Sequence, residues 1–316
     1  MPLSGGRSGW GLSRAIGRRL HGLVLLASVV GAVAFLPDWH WAMDLLTPFR
    51  LQYAAVSALG LSWACLLRQW RWAAIHGLGF TPQAVAIALS FPAPTQPGEA
   101  LFRLLAVNIH RENTAAQALL ALVERERPEA LLVLELEPTL ATALGGLSPA
   151  YPHRLIEARE DNFGLGLWLR SAPIAAKLVR LDGELPAVVA RLETGAGELR
   201  LIGVHAFPPL GAWGSTQRRV LHQRLSELVR SEATPALVAG DFNATPWCAP
   251  MRELLAQTGL VDAIGPRPTW RAAAWAWPLA LPLDHALHSP ALSIRRAEVG
   301  PDVGSDHRPL LVDLGS

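Results

Sequence analysis

Five short apolar runs in the last two hundred or so residues each lead into a polar residue. Leu104-Leu105-Ala106-Val107 stops on Asn108, Leu131-Leu132-Val133-Leu134 on Glu135, and Leu201-Ile202-Gly203-Val204 on His205. Leu237-Val238-Ala239 leads through Gly240 to Asp241 and Asn243, and Leu281-Pro282-Leu283 stops on Asp284. Runs of this length, bounded by turn residues and rich in branched side chains, predict buried strands. Any one polar terminus alone reads as a solvated strand end. Their recurrence points to side chains delivered to one rim of a rigid scaffold, where sites are built.

Helical periodicity separates these strands. Ala116, Leu119, Leu120 and Val123 share one face of a helix that Asn113 is placed to cap, and further helices are expected over about 217–230 and 251–257. Strands are expected at 101–108, 130–135, 153–156, 164–169, 187–192, 199–205, 236–239, 283–288 and 292–299. Helices interspersed with many strands predict a layered α/β domain rather than a bundle. No repeat is visible at the level of sequence.

The first hundred residues are of different composition. From Leu20 to Pro92 charges are sparse, and Pro92-Ala93-Pro94-Thr95-Gln96-Pro97-Gly98 then supplies a stiff, extended linker. The expected division is residues 1–91, a linker at 92–99, and a catalytic domain at 100–316. The apolar stretches 22–36, 49–67 and 72–89 each approach the ~20 residues that cross a bilayer, so about three transmembrane helices are expected. A signal peptide is the alternative for the first, since Arg14, Arg18 and Arg19 precede it. With Arg7 and those three arginines on one side, and Arg68 and Arg71 on the same side, the positive-inside rule puts both clusters in the cytoplasm. Trp39, Trp41, Trp70 and Trp72 fall where indoles sit at the headgroups. The expectation is a multi-pass integral membrane protein with an extracytoplasmic catalytic domain.

Charge divides in the same way. The chain has 28 Lys and Arg against 26 Asp and Glu; seven of the bases and three of the acids precede residue 100, leaving 21 against 23, a net of −2. The basic excess therefore gives the later part no extensive nucleic-acid surface. Cys65 and Cys248 suggest no disulfide framework.

Two motifs carry the chemistry: Gly240-Asp241-Phe242-Asn243 and, some sixty residues on, Ser305-Asp306-His307. Together with Asn108, the run from Pro128 to Glu135, Gly203-Val204-His205 and Leu283-Asp284-His285, they resemble the endonuclease/exonuclease/phosphatase family over residues 102–313. The apolar start resembles a branch of that family with membrane-embedded N-termini. The resemblance implies a four-layer α/β sandwich, two central β-sheets flanked by helices, with the site at one rim.

It also implies a division of labour. A phosphodiester anion repels hydroxide, so a cation must neutralise charge and a base must prepare water. Glu135 is the expected metal ligand with Asn108 and Asp306, and the cofactor is Mg²⁺, or Mn²⁺, since hard cations prefer oxygen donors. Glu137 is the alternative ligand, the register from Pro128 favouring Glu135. Where relatives carry Gln before this glutamate the chain has Leu134. Asp241 would orient or deprotonate water, Asn243 would donate to a phosphoryl oxygen, and His307 would serve as general acid or cationic clamp. Asp284 resembles the carboxylate that pairs with that histidine. His205 resembles the second histidine of the pancreatic-deoxyribonuclease and sphingomyelinase branches, with Asp161 as a candidate partner or a turn residue.

His153, His222 and His288 lack motif partners and read as structural or exposed. Trp270, Trp275 and Trp277 suit core packing or contact with membrane or substrate equally. The expected function is a membrane-anchored, metal-dependent phosphoester hydrolase acting on DNA, a lipid headgroup or a small phosphodiester. The alternative is a catalytically silent binding or scaffold module on the same fold.

Overall fold

Alternation along the first strand sets the layering. Phe102, Leu104 and Ala106 face one way and Leu105 and Val107 the other, and all are buried, so the strand must be covered on both faces. The computed structural model describes residues 8–35, 40–109, 116–181, 183–273 and 275–315, and it separates into two compact units, Met1–Leu89 and Ser90–Ser316.

In the second unit the elements run β1 (Phe102–Asn108), α5 (Ala116–Glu126), β2 (Ala130–Leu134), α6 (Pro138–Ala143), β3 (His153–Glu157) and β4 (Leu165–Leu169). They continue β5 (Ala175–Arg180), β6 (Pro186–Thr194), β7 (Gly197–His205), α7 (Gly211–Arg230), β8 (Ala236–Asp241) and α8 (Ala249–Thr258). The chain closes with β9 (Val261–Asp262), β10 (Asp284–His288), β11 (Ser293–Val299) and β12 (Leu310–Gly315). Two six-stranded sheets result, ordered β11-β12-β1-β2-β4-β3 and β5-β6-β7-β8-β10-β9.

Three apolar layers hold them. Between the sheets lie Leu104, Leu132 and Leu167 from the first and Val188, Leu201 and Leu237 from the second. Leu119, Leu122 and Leu140 of α5 and α6 cover Leu105, Leu131 and Val133 on the outer face of the first sheet. Leu221, Leu225, Met251 and Leu254 of α7 and α8 cover Ile202, Val204 and Val238 on that of the second. Each fully buried aliphatic side chain contributes about 1.5–3 kcal/mol relative to exposure. This is the expected architecture of two central sheets flanked by helices.

The two sheets share a plan that the sequence conceals. Each has a parallel pair at its centre, β1 with β2 and β7 with β8, joined by one helix and flanked by antiparallel strands. The C-terminal ends of both pairs reach the same rim. Strands β5, β9 and β12 and helix α6 were not expected from sequence. β12 occupies a central place between β1 and β11, its Asp313 buried against Arg103 at 2.7 Å.

The first unit comprises α1 (Ser8–Val33), the single turn α2 (Trp41–Asp44), α3 (Arg50–Leu66) and α4 (Trp70–Ala88). The expectation of a multi-pass integral membrane protein is overturned: among the described residues no helix is long and apolar enough to cross a membrane. α3 has 17 residues, about 25 Å of rise against a hydrocarbon core of about 30 Å. The N-terminal half of α1 carries Arg14, Arg18 and Arg19, and α4 carries Arg71, His76 and Gln83 around an internal Pro82. With those spans goes the derived orientation, including an extracytoplasmic catalytic domain. Polar contacts join these helices: His21 Nδ1 lies 3.0 Å from His76 Nε2, and Arg50 donates to Gln83 at 3.0 Å and to the Ala34 carbonyl at 2.9 Å. Asn113, Trp39 and Arg7 fall outside the described residues.

Gly240 ties the fold to the site. Its φ is +142°, and a Cβ there would lie 1.9 Å from the Val204 carbonyl oxygen of the neighbouring strand. Replacing Gly240 with Ala should therefore destabilise the protein by about 1–3 kcal/mol. The denaturant midpoint of the variant measures this, and an unchanged midpoint would contradict the close approach.

Candidate active site

Five strand ends bring the site together. Asn108 ends β1, and Glu135 follows β2 in the left-handed region at φ 56°. His205 ends β7 and is paired in register with Asp241 of β8, which is paired in turn with Asp284 at the start of β10. The second sheet therefore sets a histidine and two carboxylates side by side. Asn108 joins them to the first sheet: its Nδ2 donates to Glu135 Oε1 at 2.9 Å and to Asp241 Oδ2 at 3.2 Å.

The segment before β12 closes the group. Ser305 Oγ donates to the Asn108 carbonyl at 2.9 Å and accepts the His307 backbone N–H at 3.1 Å. His307 Nδ1 sits 2.7 Å from Asp284 Oδ2, while its Nε2 is 3.7 Å from Asp241 Oδ2. His205 Nε2 lies 3.6 Å from Asp241 Oδ2 and 3.9 Å from Glu135 Oε1. All of these side chains are buried.

Burial and neighbouring charge push the titratable groups apart. Burial opposes charge on His307, but Asp284 and Asp241 outweigh it and raise its pKa to about 10, so the ring is an imidazolium at neutral pH. Burial lowers His205 to about 4, leaving it neutral. Asp241 is raised to about 7 by burial and by Asp284 and Glu135, against the pull of His307. The site thus holds a cationic histidine, a neutral one and a carboxyl group that is reluctant to ionise.

Asn243, at φ 46°, donates its backbone N–H to Asp241 Oδ1 at 2.8 Å. Its side-chain amide donates to the Ala206 carbonyl at 2.8 Å and lies 3.5 Å from Asp241 Oδ2. Both amide hydrogens face the protein, an arrangement that orients Asp241. Donation to a phosphoryl oxygen, expected from sequence, requires one of these contacts to open.

Asp306 is half-buried and accepts the Trp270 indole N–H at 2.9 Å. Asp161 reaches His205 as a nearby charge and spends its hydrogen bonds elsewhere. It pairs with Arg159 and accepts the Phe163 N–H, so it is the turn residue of the two readings, because the adjacent guanidinium and amide satisfy it locally. What touches His205 instead is the Phe163 ring, with centroids 5.0 Å apart. Glu137 stands at the start of α6, whereas Glu135 faces Asn108.

Three supporting contacts were not legible from sequence. Thr269 Oγ1 accepts the backbone N–H groups of Leu283 and Asp284 at 3.1 and 3.0 Å and so fixes the start of β10. Trp270 holds Asp306, and Arg218 donates to the Asn243 carbonyl at 2.6 Å. No motif spacing marks these long-range contacts. Trp277 lies under the guanidinium groups of Arg308 and Arg271 at 4.3 and 4.9 Å, whereas Trp275 is exposed. His222 and His288 are buried, and His153 is half-buried.

The model of the endonuclease/exonuclease/phosphatase family matches residues 105–307. Among solved structures, the chain is similar to a humanized TDP2 of D. rerio at 16% identity and TM-score 0.54, covering 69% of this chain and 100% of that one. It is similar to the 3'-5' exonuclease NExo from Neisseria meningitidis at 16% identity and TM-score 0.56, covering 68% and 100%. It is also similar to sphingomyelinase C from Streptomyces griseocarneus at 14% identity and TM-score 0.53, covering 69% and 100%. At these identities the likeness is one of fold. No curated protein matches the chain.

The family implies a divalent cation, and the residues fit one. Glu135, Asp241 and Asp284 are three buried carboxylates, and burial first, then its two acidic neighbours, makes Asp241 resist ionisation, a balance that a cation would reverse. Ligand atoms of Asp241, Asp284 and His307 lie within 4.8 Å of one another. His307 would have to lose its proton to ligate there, and its raised pKa opposes this. Glu135, Asn108 and Asp306 offer the oxygen donors that a hard divalent cation prefers.

The pairing of His307 with Asp284 has a sign that can be checked. Its folded pKa of about 10 exceeds the ordinary 6.5, so its contribution to stability is full below about 6.5 and is lost as pH climbs through 10. Asp284→Asn removes an anion that favours the charged ring, so the His307 midpoint should fall by about 1–3 pH units. Imidazole ¹⁵N titration measures the midpoint, and an unmoved value would contradict the assignment.

Proposed function

The chain belongs to the endonuclease/exonuclease/phosphatase family, and from that premise we propose that it is a divalent-metal-dependent phosphoester hydrolase, a phosphodiesterase in particular. One observation carries the reading: the buried His307–Asp284 pair faces Asp241 beside Glu135, with Asn108 bridging the two sheets. Glu135 with Asn108 and Asp306 would hold Mg²⁺ or Mn²⁺. The bound cation would supply charge neutralisation at the phosphate.

The side chains divide the remaining work. Asp241, oriented by the Asn243 N–H at 2.8 Å, takes a proton from the attacking water once ionised. His307, charged and fixed by Asp284, meets the phosphate as an electrostatic clamp and donates its Nε2 proton to the leaving oxygen. His205 is uncharged, so at neutral pH it offers the site a hydrogen bond without a cation. The burial of all these groups excludes water and strengthens each contact.

A small or lipid-derived phosphodiester is favoured over a nucleic acid. Residues from 100 onward carry a net charge of −2, which does not supply the continuous basic groove that tracks a polyanion. From His205 an aromatic series runs outward through Phe163, Phe207 and Trp213 with centroids 4.7–5.0 Å apart, ending on an indole that is 55% exposed. Such a flank suits an apolar or planar group esterified to the phosphate.

The test uses the purified full chain with Mg²⁺ or Mn²⁺ against plasmid DNA, sphingomyelin, phosphoinositides and an aryl phosphodiester. The expected outcome is hydrolysis of a non-polymeric diester that chelation abolishes. Asp241→Ala and His307→Ala should each lower it by about 10²–10⁴-fold without loss of folding. Unchanged hydrolysis in both variants, or none by the wild type, would refute the assignment and favour a silent module on this fold.

A further inference from the structure

Behind the second sheet, on the face turned to α7 and α8, the apolar layer of Phe242, Cys248, Met251 and Leu287 contains an ion pair. His285 is fully buried, with Nδ1 2.8 Å from Asp262 Oδ2 and Nε2 2.8 Å from the Ala244 carbonyl. A carbonyl accepts only, and Asp262 also accepts the Ile264 N–H at 2.9 Å, as an ionised carboxylate does. Nε2 therefore carries a proton, and the carboxylate facing Nδ1 favours a second one there. Its surroundings agree: burial works against the charge on both partners, yet each holds the other ionised.

An ion pair in such a layer is a weak source of stability, because desolvation offsets most of the attraction. What the pair holds is more informative. Ala244 follows Asn243, whose backbone is left-handed at φ 46°. The preceding carbonyl, that of Asn243, accepts from Arg218 Nη1 at 2.6 Å, and Arg218 is 1% exposed. Two successive carbonyls just beyond Asp241 thus rest on buried cations from different elements, β10 and α7.

We propose that His285 and Arg218 are positioning residues for Asp241. By holding the carbonyls of Ala244 and Asn243 they fix the left-handed turn, which keeps the Asn243 N–H on Asp241 Oδ1 at 2.8 Å and its amide on the Ala206 carbonyl at 2.8 Å. The catalytic part of the inference rests on the reading of Asp241 as the group that prepares water. The structural part does not. Arg218 lies outside the motifs that mark the site, His285 only follows Asp284 in one of them, and both act from the far side of the sheet.

Full-length His285→Gln, Arg218→Lys and the double variant Asp262→Leu/His285→Phe separate positioning from stability. In His285→Gln and Arg218→Lys, kcat on an aryl phosphodiester should fall about 10–100-fold with KM nearly constant. The double variant removes both buried charges together, so its Tm should exceed that of His285→Phe alone, which strands the Asp262 carboxylate. Its kcat should stay low and amide exchange of the 241–246 segment should be accelerated, because the Ala244 carbonyl has lost its donor. A double variant with wild-type kcat and wild-type exchange would overturn the proposal. If the wild type cleaves none of the substrates, the functional reading fails, and exchange in 241–246 still decides the clamp: faster in the variants supports it, unchanged refutes it. Should His285→Gln not fold, Arg218→Lys, which keeps the charge but not the fork, decides by the same exchange measurement.

Discussion

The Asn108 side chain is where the two sheets become one site. Its amide donates to Glu135 on the first sheet and to Asp241 on the second, at 2.9 and 3.2 Å, in the buried rim. An unsatisfied buried carboxylate costs more than a paired one gains, so this bridge is an expensive contact to lose. The layers serve it. Apolar alternation packs the sheets face to face, the parallel pairs β1–β2 and β7–β8 aim their C-terminal ends at one edge, and Ser305 ties the last segment to the Asn108 carbonyl.

Charge at that rim follows from burial. The second sheet places His205, Asp241 and Asp284 on adjacent strands and His307 closes the group, and the folded chain then separates their behaviour: His205 neutral, His307 charged, the Asp241 carboxyl raised. The differences arise from partners that sequence cannot count. His307 has Asp284 at 2.7 Å, whereas His205 meets the Phe163 ring and stays farther from its carboxylates. Their pKa values of about 10 and about 4 arise from one buried cluster.

Much of the rim was legible in the sequence because Asn108, Glu135, His205, Asp241 and Asp284 each close an apolar run, and the run lengths reveal buried strands. The central strand β12 was not, since Arg308-Pro309 precedes it and Asp313 interrupts it; only Arg103, distant in sequence, explains that acid in a core strand. Thr269, Arg218 and the Asp262–His285 pair were equally hidden, because each acts through a contact across the fold. Asn243 was legible from its motif, whereas the bond from its amide to the Ala206 carbonyl, a contact across the fold, was not. The membrane expectation failed for a related reason. Composition registered apolar stretches, while helix length and the polar residues within them, Arg71, His76 and Gln83 among them, leave no described helix able to span.

The central claim is that the rim binds a divalent cation through Glu135 and its oxygen-bearing neighbours, with His307 left as a charged partner of the phosphate. Electron paramagnetic resonance of Mn²⁺ titrated into the full chain tests it directly. The account predicts saturable binding that Glu135→Gln weakens by about 10-fold or more and that His307→Ala leaves intact. Binding that survives Glu135→Gln but is lost in His307→Ala would contradict it and would move the cation to the Asp241, Asp284 and His307 group.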